Sequence, residues 1–149
     1  MRRLLKFLHT LGAIGMMGAM AAFLVVVTFP PPATEDAKTA VIGAMAQIAT
    51  WIFLPSMALT LLAGLLAIAA TPGYHDAGWV WVKAATGILI FEGGLQYVAG
   101  PIQAAAKAGA AGLAQSWAAE RNSLWVLLAV ALVNVALGVW RPRMPQYPV

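Results

Sequence analysis

The chain has 149 residues, of which 62% are hydrophobic and only 9% are charged. Soluble domains carry about 25% charged residues, so this composition excludes an ordinary water-exposed fold and favours a protein surrounded by lipid. The chain has no cysteine, which excludes disulfides, thiolate metal sites and cysteine nucleophiles. Its formal net charge of +4 does not indicate nucleic-acid binding, because the basic residues form no patch or stripe.

Four apolar segments make up most of the chain, and each is long enough to cross a bilayer as an α-helix. About 20 residues are needed for a crossing, and the segments cover residues 7–29, 41–70, 79–99 and 123–140. Pro55 lies inside the second segment and predicts a kink there. Each segment is followed by a proline, which cannot continue helical hydrogen bonding: Pro30, Pro72, Pro101 and Pro142. We predict an all-α fold, a single antiparallel four-helix bundle over residues 1–149.

The basic residues predict the orientation, because Lys and Arg are enriched on the cytoplasmic side of a membrane. The larger group lies at the two ends of the chain, with Lys83 near the same side: Arg2, Arg3, Lys6, Arg141 and Arg143. The smaller group lies on the other side: Lys38, Lys107 and Arg121. We therefore expect both termini in the cytoplasm. The N-terminal apolar run is longer than that of a signal peptide, which favours an uncleaved first helix.

Glycines in two of the segments predict close helix packing, which matters in lipid because apolar burial does not drive helices together. The first segment carries Gly12, Gly15 and Gly18, and the third carries Gly87 and Gly94 on one face. A second interpretation is that these glycines make room for a flat cofactor such as haem.

Polar residues inside the membrane are costly in free energy, so they are the main candidates for functional residues in this sequence. His9 and Lys83 each lie one turn inside a segment, near the predicted cytoplasmic surface. Nine residues at 100° each place Glu92 opposite Lys83 on the third helix, so these two cannot pair there. Gln96 shares the face of Glu92. Two further candidates for buried polar residues are Gln47 and Asn134, in the second and fourth segments.

Each of these polar groups has more than one interpretation. His9 is either hydrogen-bonded to a neighbouring helix or an axial haem ligand or proton carrier. Lys83 either extends to the headgroups or holds a carboxylate. Glu92 is either a buried, protonated carboxyl bonded to Gln47, Gln96 or Asn134, or a group for proton transfer or partner contact.

His75 and the methionines are weaker candidates. His75 follows the second segment and is either solvated or a second axial ligand on the side of His9. Met16 and Met20 lie one turn apart on the first segment, with Met57 in the second. Thioethers are soft ligands for Cu(I), although Met also fills gaps in packed interiors.

A family resemblance rests on short motifs between residues 6 and 94. Residues 6–12 have a Lys-x-x-His-x-x-Gly arrangement, Pro55 and Gly64 follow in the second segment, and residues 78–83 read Gly-Trp-Val-Trp-Val-Lys. This order resembles a group of small four-helix bacterial membrane proteins: an uncharacterised predicted family, the membrane domain of CopD-like copper proteins, and HemJ-type protoporphyrinogen oxidases. The resemblance implies a bacterial inner-membrane location. It also implies a role for His9 and Lys83, which match the His and Lys of the HemJ-type group, and implies haem b. That group's further His near the end of the third helix is absent here, where residues 92–96 stand.

Three hypotheses follow, in this order. The first is an accessory or assembly subunit of a membrane complex without catalysis of its own, because no catalytic motif of a soluble enzyme appears. Its partners would be membrane lipids and either other membrane subunits or further copies of itself. The second is a haem b-binding redox protein or HemJ-like porphyrinogen oxidase using His9 and Lys83. The third is copper handling through Met16, Met20 and Met57.

Overall fold

The computed structural model describes residues 2–114 and 116–140, and these residues fold entirely into helices and their connections, with no strand. This confirms the predicted all-α class. Within these described residues, seven α-helices follow one another: α1 (Arg2–Thr28), α2 (Glu35–Ile48), α3 (Leu54–Ala69), α4 (Gly78–Gly94), α5 (Gly100–Lys107), α6 (Ala110–Ala114) and α7 (Ala118–Trp140).

Three continuous helical stretches are long and apolar enough to cross a membrane. They are Arg3–Thr28, Glu35–Ala69 and Ala118–Trp140. The predicted third span lies within a fourth long stretch, residues 78–107. That stretch is not among the three, because Lys83, Glu92 and Gln96 make it more polar. Arg141 and Arg143, which contributed to the predicted orientation, lie outside the described residues.

Two π-helical turns explain how the helices pass through prolines that were expected to kink or end them. The turn Ala49–Phe53 joins α2 to α3, and Pro55 is the second residue of α3. The turn Leu95–Ala99 joins α4 to α5, and Pro101 is the second residue of α5. A π turn shifts the hydrogen-bond register by one residue, directly before each residue that lacks an N–H donor. The third predicted segment therefore does not end at Pro101 but continues as helix to Lys107.

Glycines bring α1 and α3 into direct contact, as their spacing predicts. A β-carbon added at Gly12 would lie 2.8 Å from the backbone oxygen of Ser56 and from the backbone nitrogen of Thr60. At Gly15 it would meet the side chain of Ser56. Gly18 differs, because nothing lies within 4 Å of the equivalent position. Only two of the three glycines in α1 thus permit this close approach.

The apolar core adjoins the candidate site, and Met16, Met57, Ile90 and Ala131 belong to both. Phe23 and Phe53 are fully buried and pack edge to face, with ring centroids 5.8 Å apart. Met20, Ile42 and Met45 are buried in the same cluster. The candidate site lies at the N-terminal end of α1, where α1, α3, α4 and α7 line a cavity.

Candidate functional site

Lys83 and Asn134 join α4 to α7 at one wall of this cavity. Lys83 Nζ donates to the backbone oxygen of Asn134 at 2.8 Å and also to its side-chain oxygen Oδ1. In return, Asn134 Nδ2 donates to the backbone oxygen of Lys83 at 2.9 Å. Asn134 is the buried partner and Lys83 is half-buried. The lysine is therefore anchored inside the bundle instead of extending to the headgroups.

Thr86 completes this polar cluster one turn further along α4. Asn134 Nδ2 donates to Thr86 Oγ1 at 2.6 Å, and Thr86 Oγ1 donates to the backbone oxygens of Val82 and Lys83. Gly138 leaves room for the lysine, since a β-carbon there would lie 3.4 Å from Lys83 Nζ. The ammonium can donate three hydrogen bonds, and two are used by Asn134. The third is available to a ligand in the cavity.

His9 lies on the opposite wall, where α1 meets α3. Its Nδ1 donates to the backbone oxygen of Thr60 at 2.7 Å, since a carbonyl oxygen can only accept. That bond leaves the lone pair of a neutral imidazole on Nε2, which is the state a metal-ligating histidine needs. Gly64 provides the space for the ring, because a β-carbon there would lie 3.2 Å from His9 Nδ1.

The cavity between these walls has a volume of about 560 Å³, within the range of pockets that hold small ligands and cofactors. Its lining extends to the cationic N-terminal turns of α1, with Arg3 and Lys6. Most of the remaining lining is apolar, from residues such as Met16, Met57, Leu61, Ile90, Phe91 and Val135. The arrangement fits a ligand with an apolar body and one or more anionic groups.

His75 does not join this site. It is exposed in the connection between α3 and α4 and is not a lining residue of the cavity. Its backbone oxygen accepts a hydrogen bond from Trp81 Nε1 at 2.9 Å. The expectation of a second axial ligand at this position therefore has no support from the geometry, because His75 is exposed outside the cavity although Tyr74 beside it lines the cavity.

The three methionines considered for copper are also separated. Met16 and Met57 line the cavity, whereas Met20 is fully buried in the apolar core outside it. Among the described residues, no group of three or more His, Cys, Asp or Glu could hold a metal ion.

Three of the four residues expected to be buried polar groups are exposed. Asn134 is buried as expected, but Glu92, Gln96 and Gln47 lie on the outer surface of the helices. Gln96 Nε2 donates to Glu92 Oε1 at 3.2 Å. Gln96 is one of the three partners that the sequence suggested for this carboxyl. The physical reason is helix rotation: α4 turns the face of Lys83 inward, and the opposite face must then look outward.

The partners of His9 and Lys83 had no signal in the sequence, although Asn134 itself was expected to be a buried polar residue. Thr60 and Asn134 each contact a residue 51 positions away, His9 and Lys83 respectively. In both cases a backbone carbonyl is the acceptor, and every residue has one. Gly64 belongs to the family motif, but its role as the space for the His9 ring follows only from the packing of α1 on α3.

No protein-family model, no curated protein and no solved structure matches this chain.

Proposed function

We propose that this chain is a multi-pass membrane protein whose bundle binds a porphyrin-type ligand, with haem b as the first candidate. The observation that carries the proposal is the single cavity that contains both the His9 ring and the Lys83 ammonium. A porphyrin combines a wide apolar body with carboxylates at one edge. The cavity offers an apolar lining together with cationic groups from α1 and α4.

The residues present fit haem in three respects. His9 has its free lone pair on Nε2, so it can serve as one axial ligand. Lys83, Lys6 and Arg3 line the same cavity and can pair with carboxylates. Near Gly87, the closest atom to an added β-carbon would be Leu61 Cδ1 at 4.0 Å, so the wall of α4 is open there. Bound haem would supply one-electron redox chemistry, while the chain would position it and exclude water.

Absorption spectroscopy of the detergent-purified protein tests this proposal. We expect a Soret band in the protein as isolated or after addition of haem, and a shift of that band on reduction. His9→Ala should abolish or shift the band, because the axial ligand is lost. His75→Ala is the matched control and should leave the spectrum unchanged, since that histidine lies outside the cavity. After haem addition, a Soret band that does not differ from that of free haem in the same detergent would overturn the haem proposal.

The proposed topology has four spans with both termini in the cytoplasm of a bacterium. Support for the fourth span comes from packing, because α4 lies against both α3 and α7. Lys83 and Thr86, which would be costly in lipid, are paired with Asn134. Single cysteines placed at Thr34 and His75 should react with a membrane-impermeant maleimide from opposite sides of the inner membrane. Labelling of both from the same side would contradict the topology.

A role as an accessory subunit of a membrane complex is the second proposal. It is supported by the exposed polar pair Glu92 and Gln96. These residues lie on the outer surface of α4 and of the π turn that follows it, outside the cavity. Co-migration of the detergent-extracted chain with other subunits, lost on Glu92→Leu, is the expected result. A wild-type chain that migrates alone would count against it.

A further inference from the structure

We infer that the exposed face of α4 around Glu92 and Gln96 pairs with the same face of a second copy of this chain within the membrane. This face consists of Ile88, Leu89 and Glu92 of α4 and of Leu95 and Gln96 in the π turn that follows it, all of which are exposed. It is separate from the cavity, so the inference goes beyond the proposed porphyrin site. The accessory-subunit proposal uses the same surface without a specific partner, and here the partner is a second copy of this chain.

The depth of Glu92 makes its exposure costly. A β-carbon added at the neighbouring Gly93 would lie 2.9 Å from Leu127 Cδ2, and Leu127 is close to the middle of α7. An added β-carbon at Gly94 would lie 3.1 Å from Phe53 Cζ, and Phe53 is close to the middle of the stretch Glu35–Ala69. Glu92 is therefore level with the centres of two helices that can span a membrane. An ionisable residue at this depth is costly unless it has a partner.

The hydrogen bond between the two side chains leaves part of their capacity unused. Gln96 Nε2 donates one hydrogen bond to Glu92 Oε1. The amide has a second N–H and a carbonyl oxygen, and the carboxyl has a second oxygen. Among residues 2–114 and 116–140, no other side chain or backbone group bonds to either of them. Lipid offers no replacement partner at this depth.

A twofold axis along the membrane normal would satisfy these groups reciprocally. Such an axis places identical residues of two copies at the same depth. The spare N–H of each Gln96 then lies within one helical turn of the carboxyl of the other copy. Each copy therefore donates one hydrogen bond to the other and accepts one in return. Polar side chains commonly bond across helices in membranes in this way. Ile88, Leu89 and Leu95 flank the pair and supply the apolar contact. A single polar pair that both donates and accepts is thus complementary to itself.

Cysteine crosslinking tests the inference cleanly, because the natural chain contains no cysteine. Leu89→Cys places a thiol on the face, and Ile14→Cys places one near the middle of α1 on another surface. Their exposures match, at 65% and 66%. In native membranes treated with a short bis-maleimide, we expect a covalent dimer for Leu89→Cys only. Equal yields at the two positions would overturn the inference.

The dimer should also depend on the polar pair. In detergent micelles we expect Gln96→Leu to weaken self-association roughly tenfold, the equivalent of about 1.4 kcal/mol. Glu92→Gln should retain the dimer, because an amide still donates and accepts, whereas Glu92→Leu should not. An unchanged monomer–dimer equilibrium in Gln96→Leu would overturn the inference.

The result is independent of the porphyrin proposal and distinguishes self-pairing from the accessory-subunit proposal, which uses the same surface. His9→Ala should leave the dimer intact, whatever its effect on a haem spectrum. If Leu89→Cys crosslinks in cells to a different polypeptide and never to itself, pairing with a second copy is overturned and the accessory-subunit proposal stands.

Discussion

The Lys83–Asn134 contact holds α4 against α7, and its removal is expected to destabilise the bundle. Asn134→Leu nearly preserves side-chain size but removes the hydrogen bond accepted from Lys83 Nζ and the two donated to Lys83 O and Thr86 Oγ1. A hydrogen bond between membrane helices contributes about 0.6 kcal/mol on average, and one to a charged group about 1.5–3 kcal/mol. The free energy of unfolding should therefore fall by about 3 kcal/mol.

A double-mutant cycle isolates the contribution of the charge. In Asn134→Leu, the half-buried ammonium of Lys83 keeps only its bond to the backbone oxygen of residue 134. Removing one partner of such a pair costs more than replacing both by apolar groups. The variant Lys83→Met/Asn134→Leu should therefore lose about 1–2 kcal/mol less than the two single variants added together.

Reversible unfolding by SDS in mixed micelles, followed by far-UV circular dichroism, measures these free energies. Leu132→Ala is the control, because Leu132 lies near Asn134 on α7 but is 59% exposed. We expect it to change the free energy of unfolding by less than about 0.5 kcal/mol. Additive single variants, or an Asn134→Leu effect no larger than that of the control, would refute the argument that this contact holds α4 to α7.

Three further substitutions test the packing of α1, and a fourth tests the position of the His9 ring. Gly12→Ala should cost about 1–3 kcal/mol, because its methyl group meets backbone atoms of α3. Gly18→Ala faces open space and should be neutral or stabilising in the same unfolding assay, so equal losses would contradict the proposed close approach. Phe23→Ala should cost about 3–5 kcal/mol by opening a void in the core, and a loss below about 1 kcal/mol would contradict its central place there. Gly64→Ala puts a methyl group 3.2 Å from His9 Nδ1 and should weaken haem binding in a spectroscopic titration; an unchanged affinity would show that the ring position does not matter.

The helical segments themselves could be predicted because their signals are local. A run of apolar residues, the prolines and the positions of Lys and Arg are all readable along the chain. The prolines were less informative about helix ends than expected, because the π turns before Pro55 and Pro101 let both helices continue. A π turn is a response to packing around the proline and leaves no fixed mark in composition.

The two faces of α4 show that the sequence separates the faces of a helix but does not determine which face is buried. The rotation of 100° per residue is enough to separate Lys83 from Glu92. It does not say which face turns inward, because that depends on which helices pack on either side. Lys83 meets Asn134 of α7, so Glu92 and Gln96 are left on the outer surface.

Hydropathy and helical periodicity by themselves determined that the chain is all-helical and suited to lipid, and they singled out His9 and Lys83 as costly groups that need partners. Only the tertiary structure decided which partners these are and that both side chains line one cavity. Hydropathy and periodicity are properties of neighbouring residues, whereas a contact between residues 51 positions apart depends on the pairing and rotation of whole helices.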